Sequence, residues 1–204
     1  MTRPFDISSL YIKPLIQVQA GASLVVVLMM LIIISLLGVG GAQIALMGER
    51  VARNDRDMQI AMLSAEAGLR DAVNDISGPA GPTSKRAALF DGKNAVDFVT
   101  GCGTSGNSKG LCNDTLVGGR FAWKVVDFTD TSANAPTVAY GTFTGSTFAS
   151  GVGVQAALPP RYIIELVIDP TGNQSETNYI YRVTVMGFGP RPDIQAVLQM
   201  LYRP

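Results

Sequence analysis

The residue types that most often carry enzymatic chemistry are scarce in this chain. Its 204 residues include no histidine and only two cysteines, and 16 Lys and Arg balance 16 Asp and Glu. Nucleophilic triads that depend on histidine, and metal sites with His ligands, therefore cannot be built from this chain alone. The zero formal net charge also argues against a nucleic-acid-binding protein, which usually carries a clear basic excess.

Two short segments nevertheless have the spacing of functional motifs. Residues 106–110 (GNSKG) match the nucleophile-elbow pattern G-x-S-x-G, which requires a preceding strand, a following helix and a base nearby. Residues 169–176 (DPTGNQSE) resemble an oxygen-ligand loop for calcium but lack its alternating carboxylates. We therefore predict a strand-connecting turn at residues 169–176, no catalytic residue, no metal site and no cofactor. The chain is not expected to be an enzyme.

Cys102 and Cys112 are the remaining pair of chemical interest. They flank a loop rich in Gly, Ser and Asn, so a disulfide between them would close a short ring. In the chain-entropy model such a bridge stabilises the fold by about 3 kcal/mol. It also requires an oxidising compartment. We expect the disulfide, and two unrelated free thiols are the alternative.

A long apolar segment precedes the part of the chain that carries these residues. No charged residue lies between Lys13 and Glu49, and residues 22–48 are the densest part of this stretch. A helix needs roughly 20 such residues to cross the hydrocarbon core of a membrane. A buried core helix would show a polar face, which is missing here. In a cleavable secretory signal, small residues follow a shorter apolar stretch, whereas here the small residues 20–22 precede it. The segment therefore predicts a transmembrane helix.

Helical character continues through residues 49–76. Apolar residues recur there at steps of three and four, which indicates one apolar stripe, and Asp71 and Asp75 fall mostly off that stripe. Gly78 and Pro79 are typical of a helix end. We predict one helix from residue 22 to residue 76, on the order of 80 Å long at 1.5 Å per residue. The predicted stripe consists of Met58, Met62, Ala65, Leu69, Val73 and Ile76.

Three glycines, Gly38, Gly40 and Gly41, interrupt the apolar half of this helix. Each costs about 1 kcal/mol relative to alanine in a helix interior. Two explanations stay open. Small residues at four-residue spacing allow helices to pack closely, or the stretch is built to unwind.

The remainder of the chain, residues 77–204, has the pattern of a β-rich domain. Gly, Ser, Thr, Ala and Pro dominate residues 77–112 and 128–160, and apolar runs bounded by turn signals lie between and after them. Alternation in residues 179–185 favours a sheet with one packed and one solvated face. Short connections favour antiparallel pairing. The predicted strands are residues 121–128, 137–143, 161–168, 179–185 and 194–202.

A short polar leader that ends at Gly21, followed by an apolar helix that begins at Ala22, resembles the class III leader of type IV pilins and pseudopilins. In that family a prepilin peptidase cuts after the glycine and methylates the new N-terminus. The resemblance implies cleavage between Gly21 and Ala22 and methylation of Ala22. It implies an α+β, pilin-like fold, in which the long N-terminal helix has a transmembrane first half and an amphipathic second half that packs on an antiparallel β-sheet domain.

Later segments resemble the PilX-type minor pilins in particular. They are ERVA with Asn54, Arg56 and Asp57 at residues 49–57, AEA and LR at residues 65–70, and the stretch from YRVT to AVLQ at residues 181–199. The similarity covers residues 21–76 and 179–202. The expected organisation is a leader at residues 1–21, a transmembrane half-helix at 22–48, an amphipathic half-helix at 49–76 and a periplasmic or extracellular domain at 77–204.

One position departs from the family pattern. Most major pilins carry a glutamate as the fifth mature residue, where it is thought to neutralise the N-terminal amine of a neighbour, and this chain has Val26 there. A carboxylate within lipid is costly unless it is paired. Its absence removes a docking charge, and we expect Val26 and the three glycines to be helix-packing residues. Low copy number or a position at the filament tip would follow.

The resemblance implies a minor pilin that helps prime a type IV pilus. Expected partners are other minor pilins, the major pilin, the prepilin peptidase and a tip adhesin, with no nucleic acid. The chain would be a single-pass protein of a Gram-negative inner membrane and then part of a pilus on the cell surface. Two alternatives stay open, a tip pseudopilin of a type II secretion system and an adhesive or ligand-binding pilus module. An unprocessed, membrane-anchored periplasmic protein is a further possibility.

Overall fold

The computed structural model describes residues 22–78, 86–171 and 178–204. It divides into two compact units, the first ending at Arg50 and the second covering Val51–Pro204. One helix, α1, runs from Ala22 to Ser77, one residue beyond the predicted end. Its last turn is closed by Ser77, whose Oγ donates to the carbonyl of Val73, and by Gly78, whose N–H donates to the carbonyl of Asn74. Gly78 has a φ of 68°, the left-handed conformation in which helices commonly end on glycine.

The second unit is built on a five-stranded sheet. Its strands are β1 (Leu111–Cys112), β2 (Val138–Ala139), β3 (Arg161–Ile168), β4 (Tyr179–Phe188) and β5 (Gln195–Tyr202). The order is β1-β3-β4-β5, and β2 pairs with β3 in addition. β3, β4 and β5 form a continuous antiparallel meander, while β1 runs parallel to β3. The α+β, pilin-like fold is thus confirmed, with a mixed sheet in which antiparallel pairing dominates.

Two of the predicted strands are wrong or too long. Residues 121–128 do not pair in the sheet, and Ala122–Lys124 form a single 3-10 turn. Ala122 and Phe128 pack instead against the outer face of the sheet, with the two cysteines and Ile163. The aromatic and β-branched residues of this segment are therefore explained by burial on a sheet face. In residues 137–143 only Val138–Ala139 pair, because the chain turns at Gly141, which has a φ of 76°.

The main core lies between residues 61–76 of α1 and one face of the sheet. The predicted stripe is correct at Ala65 and Ile76, which are buried, but wrong at Met58 and Met62, which are 43% and 41% exposed. The positions that face the sheet are rotated by roughly a quarter turn at 3.6 residues per turn. They are mostly small or polar, namely Ala61, Ser64, Ala65, Gly68, Asp71, Ala72, Asp75 and Ile76.

Backbone proximity explains why small residues face the sheet. A Cβ atom added to Gly187 of β4 would lie 2.2 Å from the amide nitrogen of Ala65 and 2.4 Å from the carbonyl oxygen of Ala61. The amide of Phe188 donates to the Ser64 hydroxyl at 3.4 Å, which joins strand and helix directly. The large apolar contribution comes from the sheet and loop side, where Phe90, Phe98, Tyr162 and Tyr181 are among the core residues.

The opposite face of the sheet is covered as well, contrary to the expected solvated face. Thr184 and Ile180 of β4 are 0% and 7% exposed. Around Ile163 the covering residues belong to the disulfide and to the segment from Ala122 to Phe128. The alternation of side chains therefore identified β4 correctly as a strand. The polar residues on its outer face, however, are not all exposed to solvent.

Candidate functional site

The two cysteines are joined, with their Sγ atoms 1.93 Å apart, and Cys112 belongs to β1. The loop that they close contains the G-x-S-x-G sequence, whose residues Gly106–Ser108 form one 3-10 turn. Neither a strand before this turn nor a helix after it is present among the neighbouring described residues. The segment therefore lacks the strand–turn–helix context of a nucleophile elbow.

A fully buried arginine ties this loop to the end of α1. The Arg86 guanidinium bonds both carboxylate oxygens of Asp75, with Nε–Oδ1 at 2.9 Å and Nη2–Oδ2 at 2.5 Å. Its Nη1 donates to the carbonyls of Asn107 and Lys109, at 2.9 and 2.6 Å. The Tyr162 hydroxyl of β3 donates to Asp75 Oδ2 at 2.8 Å. We call these residues the Arg86 clamp; it joins helix, sheet and disulfide loop at one point.

The surroundings of the clamp exclude water. Both side chains of the Arg86–Asp75 ion pair have no solvent-accessible surface. The Arg86 Cζ atom lies 3.7 Å from the centre of the Phe143 ring, so the cation also meets an aromatic face. Burial raises the pKa of the Tyr162 hydroxyl well above its usual value, and the charge of Asp75 beside it acts in the same direction. The clamp therefore has the character of a buried structural network rather than of an accessible reactive site.

Asp71, one turn earlier in α1, fixes a second loop. Its carboxylate accepts hydrogen bonds from the Gly141 amide at 2.7 Å and from the Thr144 hydroxyl. Burial raises the pKa of Asp71, and these two hydrogen bonds offset part of that effect. Both helix aspartates were predicted to fall mostly off the buried stripe, and both are in fact buried. Their four-residue spacing on one helix face was the available signal.

Among the predicted residues of the apolar half-helix, Val26, Gly38 and Gly41 are exposed and Gly40 is half-buried. Gly21 lies outside the described residues, and Ala22 is the first residue of α1. Val26 is 54% exposed. The helix continues through Gly38, Gly40 and Gly41 without a break, and no atom lies within 4 Å of a Cβ added to any of them.

This helix is the one described helix that is long and apolar enough to cross a membrane. Its most apolar 18-residue window has a mean hydropathy of 2.8, and none of that window is buried. Consecutive large side chains around the whole circumference are exposed, from Leu24 at 72% to Ile44 at 73%. Such a surface requires lipid or other protein chains around it.

The described acidic residues and cysteines do not converge on a metal site, since no group of three or more lies together. At the predicted turn, the Asp169 carboxylate accepts hydrogen bonds from the Thr171 amide and hydroxyl and from Arg203. These bonds, the Thr171 amide first, lower the pKa of Asp169. Of the segment 169–176, which resembles a calcium loop, the structure describes residues 169–171, and residues 170 and 171 lie in a turn.

Comparison with known proteins gives two family matches and no individual relative. Residues 20–70 match the model of the PilX N-terminal family, and residues 108–204 match that of the type IV pilus assembly protein PilX C-terminal family. The second match starts well before residue 179, so the family likeness includes β1, β2 and β3. No curated protein and no solved structure matches the chain. Since the two matched regions together make up well over half of its length, the chain belongs to the PilX family of type IV pilus assembly proteins.

Proposed function

We propose that this chain is a minor pilin that helps prime assembly of a type IV pilus and enters the filament at low copy or at its tip. The observation that carries the proposal is the apolar half of α1, which is uninterrupted and unburied in a chain of a pilus assembly family. A peptidase would first remove residues 1–21, leaving Ala22 as the methylated N-terminus.

The mechanism is lateral packing of residues 22–48. In the membrane this surface contacts lipid, and in the filament it contacts the equivalent helices of other minor pilins and of the major pilin. Gly38 and Gly41 lie on one side of the helix with open space around them, so a neighbouring helix can approach closely there, and Gly40 offers the same space on another side. The domain from residue 77 onward would lie in the periplasm before assembly and contact other minor pilins and a tip adhesin.

Val26 sets the position of the subunit. With valine at the fifth mature residue, this helix has no carboxylate for the N-terminal amine of the next subunit, so it should insert poorly behind another subunit. A Val26→Glu variant should enter the filament more often and away from the tip. Unchanged copy number and position in purified pili, measured by quantitative immunogold labelling, would contradict this role.

Processing is tested by intact mass and N-terminal sequencing of the membrane-extracted chain. The expected result is a chain that begins at methylated Ala22, and a chain that begins at Met1 would refute the pilin mechanism. A deletion strain then distinguishes the remaining alternatives. Loss of surface pili supports the proposal, whereas normal pili with impaired protein secretion indicate a pseudopilin. Normal pili with impaired adhesion indicate a binding module.

A further inference from the structure

Residues 151–156 form a loop, here called the valine loop, whose apolar side chains point into solvent. Val152 is fully exposed and Val154 is 69% exposed. The Gly151 amide donates to the Ala156 carbonyl at 2.9 Å, which closes the loop at its base. Gly151 has a φ of 140°, a backbone conformation that favours glycine. The two valines are therefore held at the tip of a closed loop, away from any core.

The valine loop belongs to a long stretch without charge. None of the residues from 131 to 160 is charged, although charged residues make up 16% of the whole chain. Transfer of a charged side chain out of water is costly, and this stretch has none to transfer. The loop can therefore enter an apolar phase at the cost of its backbone polar groups alone.

Contacts with α1 place the base of the valine loop near Asp57. A Cβ atom added to Gly68 would lie 3.0 Å from the Cβ atom of Pro160, so the chain passes Gly68 at this point. Earlier in the sequence, the Ala157 amide donates to the Gly189 carbonyl at 2.8 Å. A Cβ atom added to Gly189 would lie 2.9 Å from the Asp57 carbonyl oxygen. From Pro160 back to Ala157, the chain therefore follows α1 towards the N-terminal end of the helix.

That end of the helix leads to the apolar segment 22–48. The distance from residue 48 to Asp57 along the helix is about 13 Å at 1.5 Å per residue. On each side of a bilayer, the polar headgroups occupy about 5–8 Å of the space next to the hydrocarbon. The valine loop extends roughly 10 Å beyond Ala157, since it is about three residues high at 3.3–3.6 Å per residue. A loop of this height that continues in the same direction brings its tip among the headgroups.

We propose that Val152 and Val154 insert into the surface of the lipid bilayer that anchors residues 22–48, before the subunit enters a filament. The inference rests on the membrane anchor of the proposed function. Because the loop carries no charge, its apolar side chains recognise lipid, and a zwitterionic bilayer is sufficient. The domain would then be held at the membrane at two points, the helix and the loop.

A neighbouring protein is the alternative occupant of the valine loop. Standard protein interfaces bury roughly 800 Å² on each partner, whereas this loop offers two valine side chains on a narrow tip. Insertion into lipid needs no complementary surface, and its strength follows from the apolar area that leaves water. The shape of the loop and its place beside the anchored helix therefore favour lipid.

Quenching of a fluorescent label by lipid tests the insertion in the full chain. Both native cysteines are buried and joined to each other, so a thiol-reactive bimane label attaches to one introduced cysteine. Val152→Cys reports on the loop, and Ser35→Cys, in the middle of residues 22–48, reports on the anchor. The chain is placed in phosphatidylcholine nanodiscs whose lipids carry a nitroxide quencher either near the headgroup or deep in the acyl chain.

The matched control is Val96→Cys, since this valine is also in a loop and is 87% exposed. Val96 follows Gly92, whose carbonyl accepts a hydrogen bond from the Tyr179 amide at the start of β4. Gly189 lies just beyond the other end of the same strand. The control label is therefore equally open to water and lies towards the end of the sheet away from the valine loop.

The Val152 label should lose more fluorescence with the shallow nitroxide than with the deep one, and the Ser35 label the reverse. The Val96 label should change little with either, and Val154→Cys should repeat the result for Val152. If the Ser35 label is quenched but both loop labels behave like the Val96 label, the inference is overturned and the anchor stands. If the Ser35 label is not quenched, the anchor itself fails and the inference fails with it. Loop labels that lipid does not quench, but that are shielded from iodide in isolated pili, identify a neighbouring subunit as the occupant and overturn the proposal.

Discussion

Replacing Arg86 by methionine should be among the most damaging single substitutions in the second unit. The change leaves the Asp75 carboxylate buried, and of its hydrogen bonds in the Arg86 clamp the one from the Tyr162 hydroxyl remains. It also removes the donor to the carbonyls of Asn107 and Lys109. Removing one partner of a buried ion pair typically costs about 3–5 kcal/mol. Because neither side chain of this pair is accessible to solvent, we expect a loss of stability of this size.

The assay is urea unfolding of the full chain in detergent, followed by fluorescence. Trp123 is the only tryptophan and is half-buried beside the disulfide, so it reports on the second unit. With a slope of about 2 kcal/mol per M for urea, the expected loss lowers the unfolding midpoint by ~2 M. The control is Arg191→Met, which removes an ion pair whose side chains are both 68% exposed and should leave the midpoint nearly unchanged.

A double variant shows whether the Asp75 charge, once Arg86 is removed, is the cause. Asp75→Asn combined with Arg86→Met removes the carboxylate charge but keeps a side chain of the same shape, so it should be more stable than Arg86→Met alone. The reasoning is refuted if Arg86→Met shifts the midpoint no more than Arg191→Met does. It is also refuted if the double variant is the less stable of the two.

Three further predictions concern the packing of residues 61–76 of α1. Gly187→Ala should strongly lower the thermal midpoint, since its Cβ would overlap backbone atoms of α1, whereas Gly48→Ala, with open space around it, should not. Ala61→Leu should destabilise the unit while Met62→Leu should not, because the first residue is buried and the second exposed; equal midpoints would restore the predicted stripe. Asp71 has a raised pKa, so the folded state holds its proton more tightly and stability falls as pH rises above the ordinary value of 3.8. Asp71→Asn should flatten that part of a pH series of urea midpoints, and an unchanged slope would contradict it.

The long strands were predictable because their signals are local. Residues 161–168 and 179–185 combine β-branched and aromatic residues with turn residues at their ends. The helix is followed by Gly78, whose left-handed backbone conformation favours glycine. Residues 121–128 have the same composition, yet they pack on a sheet face without joining the ladder. Composition alone does not distinguish a strand from a segment that covers one.

The buried network was not predictable because its signals are tertiary. Arg86 follows Asp75 by 11 residues across a Gly/Pro-rich stretch, and only the folded chain brings it against two carbonyls of the disulfide loop. The stripe was misplaced because the periodicity was identified from large apolar residues such as Met58 and not from alanine and glycine. The helix backbone approaches Gly187 so closely that only small residues fit on the side that faces the sheet.

The contact between Ser64 and Phe188 joins residues 124 positions apart in the sequence. Residues 61–76 are synthesised long before β4 and β5, so their sheet-facing side has nothing to pack on until the end of the chain is made. Closing so long a loop is slow compared with forming the helix. A chain that stops before residue 188 therefore leaves exposed the small and polar helix positions that the sheet covers in the complete fold.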